Sequence, residues 1–393
     1  MARQIRTGER ALAVVGNAGS SSCWSGIPYH FWLAGKETGF LQTALDLSVP
    51  GLPWKRALWH LAKTLRGRRP RGFQYTVFFQ RQMWSRFLRC VEKRGVNEVL
   101  SHYPLFPLPH LAARAALRQS YYIDTPLQAL FEDHRMLDWL DPYVVRDALA
   151  LEKACYDQAE RVVGMAQWVK QYLTEHYKLS PAKVFTVLAA ANLDEGAVER
   201  RLHGRDVWQT PSVFTRERPF RLGFTGKDWK RKGLSRLIDA ASLLSRKGFA
   251  VEVVVIGHLP SKYLCHPLVR WAGFVDKRVE MDRFLDVLTT YDLGCSPSHQ
   301  EPMGIAPLEC LRMGIPVLCT AVGGLVDACP VAEGAGILAL ADAGGEDLAQ
   351  LIEPLIREPE RLQAMRDATW RIKERYSWTR AVANMKQIWG GAA

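Results

Sequence analysis

Ser296-Pro297-Ser298-His299-Gln300-Glu301-Pro302-Met303-Gly304-Ile305-Ala306-Pro307-Leu308-Glu309-Cys310-Leu311-Arg312-Met313-Gly314-Ile315-Pro316 is the stretch that decides how this chain is read. An apolar run, Tyr291 to Cys295, stops just before it in turn-forming residues, as a strand ending in a loop does. After Gly304 the apolar residues Ile305, Leu308, Cys310 and Leu311 recur at helical spacing, and Gly314 then Pro316 mark a helix end. Glu301 therefore falls in the loop at a strand's carboxyl end, and Glu309 about a turn and a half inside the helix. In open α/β sheets that junction is where ligands bind. The N–H groups of Gly304, Ile305 and Ala306 face outward there and favour an anion. Taken alone, the spacing also fits a solvated helix start whose acidic residues suit the macrodipole.

With Pro302, Gly304 and Gly314-Ile315-Pro316 in register, the stretch resembles the Glu-x7-Glu signature of the retaining, GT-B-fold glycosyltransferases of family 4, the glycosyl transferases group 1. The resemblance implies that Glu301 lies beside the donor sugar and that Glu309 hydrogen-bonds the ribose of the nucleotide. It also implies donor-binding roles for Met303, Gly304 and Ile305.

Working outward, Phe220 to Gly226 reads as a strand, followed by Lys227-Asp228-Trp229-Lys230-Arg231-Lys232-Gly233 and a helix from Leu234 to Arg246. This resembles the family's Gly-Arg-x-x-x-x-Lys-Gly segment, in which two cations clamp the donor diphosphate. Lys227 and Lys232 are then the two cations, with Lys227 standing where arginine is common and so lacking its bidentate fork. Without the neighbouring motif both are solvated loop lysines. Gly273-Phe274-Val275 resembles the segment whose backbone reads the nucleotide base, making Phe274 and Val275 donor-binding residues. Gly323-Gly324 resembles a turn close to the donor.

In the first half, the buried strand Ala11 to Val15 ends in Gly16-Asn17-Ala18-Gly19-Ser20-Ser21-Ser22. That loop is neither Gly-x-Gly-x-x-Gly nor a P-loop. It continues into Trp24-Ser25-Gly26-Ile27-Pro28-Tyr29-His30, similar to the donor-facing loop of the family, with Gly26 as the glycine that admits the diphosphate. Phe40 to Leu47, Val96 to Leu100, Tyr121 to Ile123, Arg161 to Met165 and Lys183 to Leu188 read as strands. Trp54 to Leu65, Val77 to Lys93, Leu111 to Leu117 and Ala166 to Tyr177 read as helices between them. Such alternation predicts a parallel sheet covered on both faces. Asp124, after Tyr121-Tyr122-Ile123, is a candidate for contact with the sugar's hydroxyls or the acceptor, and equally a cap for the helix after Pro126. The run from Val162 to Asp194 resembles the end of the family's first domain.

The chain has 393 residues, 48% hydrophobic and 23% charged, which is the size of two domains and the balance of a globular protein. No apolar run is long enough for a membrane helix. Ala11 to Val15 is too short for a signal-peptide core, so the expectation is a cytoplasmic protein. The eight cysteines, Cys23, Cys90, Cys155, Cys265, Cys295, Cys310, Cys319 and Cys329, form no Cys-x-x-Cys pair and read as reduced core residues, not metal ligands. There is no Asp-x-Asp, the carboxylate pair expected of a transferase that holds its diphosphate through a metal. No metal and no cofactor are expected. The net charge of +12 is uneven: no Asp or Glu occurs between Leu47 and Val91, where ten Lys and Arg alternate with Trp, Phe and Tyr. That stretch suits an anionic membrane surface or a phosphorylated acceptor, or a solvated face whose aromatics pack inward. Nucleic acid is not expected, since no recognition motif accompanies the charge.

The expectation is an α/β chain of GT-B architecture: two facing Rossmann-like domains with a C-terminal helix crossing back. The first spans 1–194 with a helix at about 376–393, 195–218 connects, and 219–375 is the nucleotide-sugar domain. The resemblance implies a retaining, metal-independent hexosyltransferase acting from a nucleotide diphosphate sugar on an acceptor hydroxyl. The acceptor would be a glycan or a lipid-linked saccharide of cell-surface polysaccharide, lipopolysaccharide or glycolipid synthesis, met at the inner face of the membrane. A sugar-nucleotide epimerase of the same fold, or a non-catalytic nucleotide-sugar binding protein, would carry the same motifs.

Overall fold

The computed structural model describes residues 9–48, 51–133 and 135–390. Val49 and Pro50 of the acid-free stretch lie outside the description, as does the side chain of Cys90. The chain forms two compact units, Met1–Val187 with Val382–Ala393, and Leu188–Ala381.

The first unit holds strands β1 (Glu9–Val14), β2 (Thr43–Asp46), β3 (Val96–Ser101), β4 (Arg118–Ile123), β5 (Arg161–Gly164) and β6 (Val184–Thr186). Between them run α1 (Ile27–Glu37), α2 (Leu52–Leu65), α3 (Val77–Arg94), α4 (Pro109–Arg114), α5 (Leu127–Asp133), α6 (Pro142–Gln158) and α7 (Gln167–Glu175). The strands form one parallel sheet in the order β2-β1-β3-β4-β5-β6, with Ala11 opposite Thr43 on one side and Val99 on the other. Ala11, Leu12, Ala13 and Val14 are all fully buried, as an unbroken apolar run must be in a strand covered on both faces.

The second unit holds β7 (Phe220–Gly226), β8 (Val251–Gly257), β9 (Val269–Gly273), β10 (Leu293–Ser296), β11 (Val317–Thr320) and β12 (Gly336–Ala339). Its helices are α8 (Glu195–Leu202), α9 (Leu234–Arg246), α10 (Met281–Leu288), α11 (Ile305–Arg312), α12 (Leu325–Ala328), α13 (Gly345–Arg357) and α14 (Pro359–Ile372). The order is β12-β11-β10-β7-β8-β9, all parallel. From β7 the chain builds outward through β8 and β9, then returns to the other side of β7 with β10. The carboxyl ends of β7 and β10 therefore flank the point where the winding reverses, the crevice that binds ligands in open α/β sheets. In the first unit the equivalent point lies between β1 and β3.

A last helix, α15 (Trp378–Gly390), starts in the second unit and from Val382 belongs to the first. There Trp389 packs on Phe40 at 5.4 Å between ring centroids, and its indole N–H donates to Glu98.

Some expectations change in the structure. Residues 195–218, expected as a connection between domains, are part of the second unit. Asp194 caps α8 by accepting from Ala197 N–H at 2.7 Å, Glu195 pairs with Arg312 at 2.6 Å, and Trp208 donates to the Met313 carbonyl at 2.7 Å. The polar, charged sequence here still buries Ala197, Val198, Leu202 and Phe214, and hydrogen bonds add to that anchoring. The strand expected over Phe40 to Leu47 is Thr43–Asp46; Phe40 and Leu41 are buried outside the ladder. The 17-residue α6 is an element the sequence reading did not name, although Asp141-Pro142 marks its start. Five of the cysteines are buried, Cys23 is half-buried and Cys265 is exposed.

Candidate functional site

At the β7–β10 switch point two loops meet. After β7, residues 227–233 lead into α9; after β10, residues 297–304 lead into α11. Gly233 joins them: it has φ of +72°, and a Cβ there would lie 1.9 Å from the Pro297 carbonyl oxygen. The approach brings Lys232 Nζ to 2.8 Å from Glu301 Oε2. Arg231, a residue the sequence reading did not single out, reaches the same oxygen at 3.2 Å and the Gln300 carbonyl at 2.6 Å. Burial alone would raise the Glu301 pKa, but the charges of Lys232 and Arg231 outweigh it and hold the carboxyl below the usual range. Glu301 is thus an anion pinned by two cations.

The backbone of this loop is held from the far side by Gly323-Gly324. Gly324 N–H donates to the Glu301 carbonyl at 3.1 Å. A Cβ on Gly323, which has φ of +48°, would lie 2.2 Å from that oxygen. The pair is thus a close-packing device for the Glu301 loop. Gly304 is the left-handed N-cap of α11, with no side-chain cap. The first-turn amides of Ile305 and Ala306 have no acceptor within the helix, as at any helix start. Met303, just before Gly304, is buried.

Glu309 is buried in α11 and pairs with Lys277, whose ammonium also donates to the Asn192 carbonyl at 3.2 Å. Burial raises its pKa, and Lys277 offsets that only in part. Lys277 is the second residue that sequence reasoning missed. It lies three residues past Phe274, on the segment expected to face the base.

Lys227 is exposed and stands over the Phe274 ring at 5.1 Å, not beside Glu301. Phe274 is itself exposed and lies tilted against His258 at 5.8 Å between ring centroids, while Val275 is buried. Lys227 and His258 line an open recess of ≈ 420 Å³ together with Asp228, Trp229, Lys230, Leu259 and Pro260. The second unit thus groups Lys232, Arg231 and Glu301, sets Lys277 with Glu309, and gives Lys227 to the neighbouring recess.

In the first unit, Gly26 is the left-handed N-cap of α1, with φ of +93°. Asp124 follows β4, and burial raises its pKa against hydrogen bonds from its own and the Thr125 amide. At the start of α5, Leu127 N–H donates to Glu152 Oε1 at 2.9 Å. His102, at the end of β3, gives its Nδ1–H to the Tyr122 carbonyl at 2.7 Å, and burial lowers its pKa to about 4. Among the described residues no group of three or more His, Cys, Asp or Glu could hold a metal ion.

Residues 219–358 match the family profile described as glycosyl transferases group 1. The D-inositol 3-phosphate glycosyltransferase of Gordonia bronchialis is 28% identical over 252 residues, 60% of this chain and 53% of that protein. The glycogen synthase of Mycobacterium tuberculosis is 23% identical over 291 residues, 71% of this chain and 66% of its own. The chain spans about half the length of the D-inositol 3-phosphate glycosyltransferases it matches. Among solved structures, the sucrose-phosphate synthase of Thermosynechococcus elongatus superposes with a TM-score of 0.70 over 98% of both chains at 15% identity. HepE of Anabaena, in complex with UDP and glucose, superposes with a TM-score of 0.63 over 96% of this chain and 99% of its own at 13% identity. At such identities the likeness is one of fold. Residues 219–358 are thus similar to the glycosyl transferases group 1, and the two parallel-sheet units are those of the GT-B fold.

Proposed function

We propose that this protein is a retaining glycosyltransferase that moves a hexosyl unit from a nucleoside diphosphate sugar to an acceptor hydroxyl. The acceptor is a glycan or a lipid-linked saccharide of cell-surface polysaccharide, lipopolysaccharide or glycolipid synthesis. One observation carries the reading: Lys232 and Arg231 converge on Glu301 at the second unit's switch point, beside the amides that open α11. The binding of UDP and glucose by HepE supports a donor of this class.

In the reaction, the bond from the anomeric carbon to the diphosphate breaks and a bond to the acceptor oxygen forms on the same face. The acceptor proton passes to the departing diphosphate oxygen, so no protein base is required. Negative charge grows on that diphosphate as it leaves. Lys232, Arg231 and the α11 amides stabilise it, with Lys227 reaching from the recess. Glu301 faces the sugar, where positive charge develops. Glu309 takes the ribose, exchanging part of its bond to Lys277 for one to a hydroxyl. Positive charge from the chain itself makes the proposed reaction independent of divalent metal.

The test is a thermal-shift panel of nucleoside diphosphate sugars, followed by nucleotide-release assays after exhaustive chelation. A donor should stabilise the chain, and release should persist without metal and depend on an acceptor. Activity that returns only with magnesium or manganese would overturn metal independence. Interconversion of donors without an acceptor would make the protein an epimerase, and stabilisation without any turnover a binding protein.

A further inference from the structure

Helix α2 presents the wrong face to solvent for a surface helix. Trp54, Leu58, Leu61 and Leu65 recur at i, i+4, i+7 and i+11, and are 77%, 63%, 56% and 79% exposed. At about 100° per residue they share a sector of roughly 60°, in a stripe about 16 Å long. Pro53, Ala57 and Ala62 are exposed on the same helix. The body of the unit is met instead by Lys55, Trp59 and Lys63. Lys55 Nζ donates to Gln82 Oε1 at 2.6 Å, and Lys63 Nζ pairs with the buried Asp141 at 3.1 Å. Trp59 packs on Phe73 at 5.6 Å between ring centroids. Polar anchors on one side therefore fix the apolar stripe outward, the reverse of an ordinary amphipathic helix on a core. An exposed apolar patch of this kind marks an interaction site.

We propose that α2 is a docking helix for an anionic lipid bilayer, its stripe entering the interface between headgroups and acyl chains. Charge decides the occupant. No Asp or Glu occurs from Leu47 to Val91, and Arg56, Arg66, Arg68 and Arg69 on and after the helix are exposed. A second copy of this chain meeting the stripe about a two-fold axis would set those cations against their own equivalents. An anionic membrane attracts them, while their aliphatic stems extend the apolar surface. Trp54, at the start of the stripe, has the apolar body and N–H that suit the interface. The inference stands on the first unit alone and holds whatever the second unit binds.

The experiment is flotation of the full chain with phosphatidylethanolamine vesicles containing phosphatidylglycerol, and with phosphatidylcholine vesicles. The unmutated protein should float with the anionic vesicles, less so as salt rises. The combined variant Trp54→Ser, Leu58→Gln, Leu61→Gln, Leu65→Gln should lose about ten-fold or more of its partition. Its circular dichroism should match the parent, because the replaced side chains are exposed. Arg56→Gln with Arg66→Gln should weaken flotation and flatten its salt dependence. Equal flotation of the apolar variant overturns the proposal, as does equal binding to phosphatidylcholine. A parent that stays in solution as a dimer, which the apolar variant dissolves, would make the stripe a self-association surface instead.

Discussion

Replacing Glu301 by Gln keeps its shape and most of its hydrogen bonds but removes the charge that Lys232 and Arg231 hold in place. If that charge faces the developing positive centre, Glu301→Gln lowers kcat by about a hundred-fold and leaves nucleotide affinity near normal. Glu309 acts in ground and transition states alike, through a charge-assisted bond of about 1.5–3 kcal/mol. Glu309→Gln should therefore raise the donor KM by about ten- to a hundred-fold, with kcat changed much less. Steady-state kinetics with calorimetric nucleotide binding separates the two, and a reversed pattern would exchange the roles. Both glutamates were legible because their spacing is local. Lys232 was legible as well, but two of the glutamates' partners were not. Arg231 sits in the run Lys230-Arg231-Lys232, where composition cannot say which cation turns inward, and Lys277 lies 32 residues from the carboxylate it meets.

At the scale of elements, Glu152 of α6 ties three helical segments together. Its carboxylate caps α5 through Leu127 N–H, accepts from Tyr156 Oη–H at 2.9 Å within its own helix, and accepts from Tyr177 just after α7. Burial raises its pKa from 4.5 to about 7, against the lowering effect of those donors. The folded chain thus keeps a proton that the unfolded chain has released. The stability this contributes is complete below about pH 4.5, declines as pH rises toward about 7, and amounts to about 3 kcal/mol over that window. Glu152→Gln should flatten that slope in urea unfolding of the first unit measured on either side of the window. An unaltered slope would place the titration elsewhere. The α2 stripe belongs to this scale too. Its period and its basic flank are plain in the sequence, but which face turns outward depends on Lys63 finding Asp141.

At the scale of the molecule, the end of α15 is built into the first unit. Trp389 of α15 lies against Phe40, with the guanidinium groups of Arg10 at 5.2 Å and Arg161 at 4.9 Å from its ring. Its N–H joins Arg10 and Arg118 on Glu98, and these bonds hold that buried carboxyl below its usual pKa although burial pushes it up. Trp389→Ala should cost the first unit about 2–3 kcal/mol, from lost apolar burial and ring contacts. Urea unfolding should show an earlier first-unit transition and an unchanged one for the second unit, whose core draws on none of these residues. An unmoved first-unit midpoint would mean that α15 adds nothing to its stability.

The sequence by itself determined the elements and the junction. Apolar runs bounded by Gly and Pro set the strands, and the 3.6-residue period set most helices. Glu301 and Glu309 straddle one strand–helix turn whose sequence signals lie within twenty-one residues. Tertiary structure decided what sheet order brings together. Lys232 meets Glu301 across 69 residues because β7 and β10 are neighbours, whereas Lys227, five residues earlier, turns to Phe274. It also assigned residues 195–218 to the second unit and turned the apolar side of α2 to the outside. Local conformation follows from backbone sterics and side-chain period over a few residues. The pairing of charges and the choice of a helix's buried face follow from which distant groups the folded sheet brings within a few ångströms, and that is a property of the whole packing.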